Sequence, residues 1–419
     1  MSNQTKIENF STTTIRTIAL SKKLNLLELL PDEPTNEIFS WVRNNQGLVA
    51  WGITTEAEFS GKERFSRAHK WWKNFIDNCA IRDEVQTSGS GAIAFVSFSY
   101  EIEDTSVVKV PKIIIGQDSQ TTWLTIIGNQ DIDKIKEDIF SATNINLEPH
   151  NITWSDGSIS VAEWQSAVEK AVERINNKEL DKVVLTRDLN AKSDKKIDVR
   201  KVLLNLSNDF PECWTFSVDG LIGATPELLV RKTSDQVLSR VLAGTIKRDD
   251  SATDSELEFA LLQSGKDLEE HEFAVSSVAT ALALHCTDMN IPKAPKVLRL
   301  ANVAHLATDV SGTLVDSAPA LVLAGSLHPT AAICGTPTGR AKQLINELER
   351  MKRNRYTGPV GWINSKGDGE LGIALRCAEI NENSARLFAG CGIVAGSTAA
   401  DELIESNAKF SAMRNALTN

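Results

Sequence analysis

The sequence is short of the features that mark many functional classes. Its six cysteines (Cys79, Cys213, Cys286, Cys334, Cys377 and Cys391) stand far apart with no CxxC pair. That spacing argues against a disulfide frame or a zinc site and fits free thiols in a reducing compartment. No apolar run reaches membrane-spanning length, and the opening MSNQTKIENF has no signal-peptide core. A cytoplasmic protein is therefore expected. Positive charge is in deficit, 45 Lys and Arg against 55 Asp and Glu for a net charge of −10. Nucleic acid and an anionic membrane surface are poor partners for such a chain. An anionic substrate would have to be captured by local cations or a metal. Internal repeats and low-complexity tracts are absent, and nothing in the sequence specifies an oligomer, so a monomer is the default.

What is present is ordinary for a soluble globular protein: 419 residues, 42% hydrophobic and 24% charged. That length suits one large domain or two or three average ones. Residues 1 to about 150 alternate short β-like runs (15–20, 47–53, 92–100, 112–116, 121–128) with one amphipathic helix over 59–78. They offer no catalytic constellation, and Trp71 and Trp72 read as core or groove packing. From Ser160 the pattern changes. Helices are expected over 161–177, 199–206, 252–263, 266–285, 317–326 and 340–351. Between them, strand character covers 182–190, 213–218, 221–232, 241–247 and 297–313. Residues 358–380 read as two strands joined at the glycine-rich turn Lys366-Gly367-Asp368-Gly369. Hairpins set between helices point to α+β with a large antiparallel sheet system.

The final stretch, RLFAGCGIVAGSTAADELIESNAKF, organises the rest. A glycine-rich buried strand is followed by Ser397 and Thr398, which supply a helix N-cap. On that helix Glu402, Glu405 and Lys409 stand at i, i+3 and i+7 and share a face. Two carboxylates and an ammonium beside bare glycine backbone suit a metal-and-anion site. The Glu405–Lys409 spacing equally suits a surface ion pair. Gly390, Gly392 and Ala395 imitate a dinucleotide fingerprint, but no βαβ unit with a ribose-binding acid follows.

Upstream, Lys182 opens an apolar strand, where burial would push an amine toward the range of a general base; at a strand end it could also snorkel to solvent. Glu227, between Pro226 and Leu228, is placed to stay protonated as a general acid, or else to cap a turn. Glu269, Glu270, His271 and Glu272 crowd one helix, either as a solvated face or with one carboxylate turned to share Mg2+ with Glu405. Arg376, inside LGIALRC, needs an anionic partner if buried, and a substrate carboxylate would serve. Tyr356 could add a hydroxyl to the same group. His305 reads as a core histidine that could line the pocket.

Nine blocks resemble the chorismate-utilising enzymes: KVVLTR, GATPELLVRK, LAGTIKR, KDLEEHEF, HLATDVSGTL, LHPTAAICGTP, YTGPVGW, GELGIALRCAEI and AGCGIVAGSTAADELIESNAKFSAM. They run in order from about Lys182 to Lys409. Within that family the resemblance is closest to the isochorismate synthases, because Lys182 stands where ammonia-using members carry glutamine. It implies two large packed antiparallel sheets surrounded by helices, in a single domain whose residues 1–150 form a variable β-rich part and 151–419 the motif-bearing part. It also implies Mg2+-dependent conversion of chorismate to isochorismate, for menaquinone or siderophore biosynthesis, with no glutaminase subunit. Salicylate synthase is the alternative. By the same resemblance Lys182 would activate water and Glu227 protonate the leaving hydroxyl. Glu270 and Glu405 would hold Mg2+, with Glu402 assisting through water. Gly244, Thr245 and Lys409 would take the ring carboxylate, Arg376, Tyr356 and Gly390 the enolpyruvyl carboxylate, and His305, Ala332 and Ile333 would line the ring.

Overall fold

The computed structural model describes residues 13–141, 151–247, 253–300 and 303–418. The opening MSNQTKIENF, the expected helix start at 252 and residues 301–302 of the expected 297–313 strand lie outside them. Among the described residues, 21 strands are linked in one hydrogen-bonded network, and every pairing is antiparallel except that of Thr13–Leu20 with Cys79–Asp83. The network has two branches. Both spring from the long ladder between Gln46–Phe59 and Ser106–Gln117, whose register shifts at Ile53/Thr55. Such a bulge bends both strands, so that their two halves serve different sheets.

The first sheet continues from that ladder through Ile38–Arg43, Trp214–Val218, Leu221–Thr225, Cys377–Asn381 and Ser384–Ile393 to Lys182–Ser193. The second runs through Ile93–Ser97, Pro359–Asn364, Gly369–Ile373, Leu228–Thr233 and Gln236–Lys247 to Val303–Leu314. The sheets face each other across a dense core: Phe39 stacks on Phe95 with ring centroids 5.3 Å apart, and Trp41 Nε1 donates to Glu370 Oε2 at 2.9 Å. The α+β reading with two packed sheets is thus realised, with the sheets fused at one bent ladder.

Helices cover the outer faces. Val199–Asp209 and Ala399–Thr418 bury Val202, Leu203, Leu206, Phe410, Met413 and Leu417 together. Each side chain so buried contributes roughly 1.5–3 kcal/mol. On the other side Trp72 of helix Arg64–Asp77 is buried and donates to Asn364 O at 2.9 Å. Local sequence dictates several helix starts. Ser160 and Thr253 form capping boxes with Glu163 and Glu256, and the Thr398 hydroxyl accepts from Asp401 N at 3.2 Å.

Four expectations change. The 59–78 helix begins only at Arg64, because the strand Gln46–Phe59 keeps pairing to its end. The expected 297–313 strand is split between Lys296–Arg299 and Val303–Leu314, which pair with each other. The runs 221–232 and 358–380 are also broken, at Pro226-Glu227 and at Ala374–Arg376. At each of these breaks the chain passes from one sheet to the other.

Candidate active site

Those two crossings build the site. Thr225 Oγ1 donates to Ile373 O at 2.6 Å and Ile373 N donates to Glu227 O at 3.2 Å, which ties the crossings together. Pro226 cannot donate to a ladder, so it ends the first-sheet strand and turns Glu227 inward. Arg376 is not within a strand as its apolar neighbours suggested; it sits in the left-handed region at φ 49°. Both side chains line one cavity at the seam of the sheets.

Across the cavity lies the glycine strand. Gly390 and Gly392 line it, and a Cβ on Gly392 would fall 2.2 Å from Glu270 Oε1. Only glycine leaves room for that carboxylate. A row of three ion pairs follows: Lys182 Nζ to Glu270 Oε1 at 3.1 Å, Lys266 Nζ to Glu402 Oε1 at 2.8 Å, and Lys409 Nζ to Glu405 Oε1 at 2.6 Å. Lys409 also donates to Gly390 O at 2.8 Å. Glu402 and Glu405 lie with Cys391 in a group whose ligand atoms are within 4.8 Å of one another, and Glu270 stands outside that close group. Burial alone would raise the Glu270 carboxyl, but Lys182, Lys409 and Lys266 more than offset it and hold it below its usual range. Burial and the neighbouring Glu405 push Glu402 up, with Lys266 opposing.

Glu227 is the opposite case. It is buried with no ion pair among the described residues, and desolvation lifts its carboxyl to about 8 although Lys182 and Lys409 pull the other way. At neutral pH it carries a proton it can give. His305 accepts at Nε2 from Arg376 Nη2 at 2.5 Å, and its Nδ1 meets Thr245 Oγ1 at 3.0 Å. Arg376 can only donate, which assigns the imidazole proton to Nδ1. Burial, together with Arg376 and Lys409, keeps that ring neutral by holding it well below its ordinary value. Arg376 Nη1 is buried without a hydrogen bond, and among the described residues no carboxylate pairs with the guanidinium. Tyr356 is buried, stacked on Phe388 with centroids 4.9 Å apart, and its hydroxyl lies against the bare face of Gly390.

Of the residues picked from sequence, Glu227, Thr245, Glu270, His305, Ala332, Ile333, Tyr356, Arg376, Gly390 and Lys409 line this one cavity. Four more stand directly beside these lining residues. Lys182 is fully buried behind Glu270 and does not snorkel. Gly244, at φ 73°, makes the bulge that sets Thr245 against His305. Glu402 is buried and Glu405 half-buried on the last helix. Sequence reasoning missed Lys266, whose partner Glu402 is 136 residues away; the only signal was a lysine opening the acidic helix. It also missed the apolar wall of Val184, Leu242, Leu375 and Phe388.

The family of chorismate binding enzymes matches residues 3–418. The chain belongs to that family. Among its relatives, isochorismate synthase DhbC of Bacillus subtilis is 40% identical over 268 residues, 61% of this chain and 67% of the relative. Isochorismate synthase MenF of the same organism is 29% identical over 415 residues, 91% of this chain and 88% of the relative. The crystal structure of DhbC from Bacillus anthracis superposes with a TM-score of 0.77 at 31% identity, covering 93% of this chain and 98% of that one. MenF of Escherichia coli gives a TM-score of 0.79 at 24% identity, with 97% and 95% covered, and shares the two-sheet fold. As a member of the chorismate binding enzymes the chain is an enzyme, of the isomerase class of these relatives. No helix among its described residues is long and apolar enough to cross a membrane.

Proposed function

We propose that the chain is an isochorismate synthase, which adds water at C2 of chorismate and expels the C4 hydroxyl in a reversible reaction. The observation that carries this reading is one cavity lined by the buried Glu227 carboxyl and by Arg376, which has no carboxylate partner among the described residues, with Lys182 buried against Glu270. Lys182, acting as the free amine, takes a proton from the attacking water; the ring double bonds shift, and Glu227 gives its proton to the C4 oxygen, which leaves as water. Arg376, with Tyr356 beside Gly390, grips the enolpyruvyl carboxylate. Thr245 and Lys409 face the ring carboxylate, and His305, fixed as the Nδ1–H tautomer, closes the wall with Ala332 and Ile333.

The residues present fit Mg2+. The carboxylates of Glu402 and Glu405 are close together, and Glu402 Oε2 is buried with no hydrogen bond. Oxygen donors of this kind suit a hard cation. The Cys391 thiol beside them is held protonated by burial and by Glu405. Glu270 and Glu405 would hold the ion, with Glu402 assisting through water. When bound, Mg2+ supplies positive charge against the ring carboxylate. The enzyme works in this reading as a cytoplasmic, monomeric, single-domain protein without a glutaminase subunit, for menaquinone or siderophore biosynthesis.

Incubation with chorismate and Mg2+ followed by product analysis tests the assignment: isochorismate should accumulate. Salicylate fluorescence would instead assign salicylate synthesis, and no turnover would end both readings. Arg376→Lys keeps the charge but loses the planar fork and the contact to His305. We expect KM for chorismate to rise roughly 10- to 100-fold with a smaller change in kcat. An unchanged KM would take the enolpyruvyl carboxylate away from Arg376.

A further inference from the structure

We propose that Lys266 is a resident stand-in for the divalent cation: its ammonium neutralises Glu402 until the ion displaces it, and so it sets the affinity for the ion. The inference rests on the reading of Glu270, Glu402 and Glu405 as the metal carboxylates.

The three lysines of the row differ in freedom. Lys182 is fully buried, and its side chain is 0% exposed against 19% for Lys409 and 33% for Lys266. Lys409 is held twice, by Glu405 and by Gly390 O. Among the described residues Lys266 makes a single side-chain hydrogen bond, to Glu402 Oε1 at 2.8 Å. It stands in the first turn of helix Gly265–Leu282, just after the cap Ser264, so its side chain can swing to solvent without breaking backbone bonds.

Glu402 needs a cation. Its side chain is 1% exposed, its Oε2 makes no hydrogen bond, and Glu405 lies close beside it. Two carboxylates so close in a buried setting repel unless a positive charge sits with them. Lys266 is placed for that work, because its ammonium lies 2.8 Å from Glu402 Oε1. A divalent ion brought to the same carboxylates would meet that ammonium as a like charge. The mobile lysine is then the one that leaves, and its departure is a cost on the ion's binding.

Titration of the full-length protein with Mn2+ alone, without substrate, followed by electron paramagnetic resonance and calorimetry, tests this. Lys266→Gln should bind Mn2+ roughly tenfold more tightly than wild type, since a competing cation has been removed. Lys266→Arg, which keeps the charge, should bind no more tightly than wild type. Equal or weaker binding by Lys266→Gln, with its melting temperature near wild type, would make Lys266 a structural ion pair and overturn the inference. Should Lys266→Gln melt early, Lys266→Met is titrated in its place with the same two outcomes. Glu405→Gln separates the two levels. If it binds Mn2+ as wild type does, the assignment of the carboxylates fails; if it loses the ion while Lys266→Gln shows no gain, only the role of Lys266 fails.

Discussion

Lys182→Ala is expected to slow isochorismate formation by about 10²- to 10⁴-fold, the range a positioned base contributes, while chorismate binding stays measurable by calorimetry. The alanine also strips Glu270 of its 3.1 Å partner. Removing one member of a buried pair costs about 3–5 kcal/mol, so a rate loss by itself would not separate chemistry from structure. Lys182→Arg does. Arginine can keep the pair with Glu270 yet cannot give up its proton near neutral pH. The arginine variant should melt above the alanine variant and turn over as poorly. Retained turnover in either would remove Lys182 as the base and leave it as the counter-charge that places Glu270.

How much of this site could be read from sequence depended on whether its partners were close in the chain. The Glu402, Glu405, Lys409 face and the Thr398 cap belong to one helix, so spacing alone placed them. A lone arginine in LGIALRC was legible because an apolar run gives a guanidinium no partner. The structure keeps that argument and corrects its setting, since Arg376 turns into the cavity from a left-handed break and not from a strand. Lys266 was illegible: its partner reaches it only when helices Gly265–Leu282 and Ala399–Thr418 converge. The crossings at Pro226-Glu227 and Ala374–Arg376 were hidden as well, because an apolar strand leaving one sheet and entering another reads as one continuous run. The proline was the visible clue. It ends a ladder, and the glutamate beside it lands at the seam.

Glu227→Gln is expected to lower kcat by about 10²- to 10⁴-fold in both directions of the reaction and, at the same time, to stabilise the protein at alkaline pH. The two effects share one cause. Desolvation raises the Glu227 carboxyl from 4.5 to about 8. The folded state therefore holds this proton more tightly than the unfolded chain does. Its contribution to stability is fully present below about 4.5 and is lost as pH rises to about 8. Over that window wild type should lose on the order of a few kcal/mol, whereas the glutamine variant, with nothing to titrate, should lose less. Denaturant melts at pH 5 and pH 8 measure the difference. Activity follows the same proton: wild-type kcat should fall as pH passes about 8, where the acid form of Glu227 disappears, and the residual rate of the variant should lack that limb. A variant that turns over at the wild-type rate would take the acid role from Glu227. Wild-type and variant stabilities that run parallel from pH 5 to pH 8 would show that the carboxyl is not held neutral, and the cavity would then have no proton to give the departing hydroxyl.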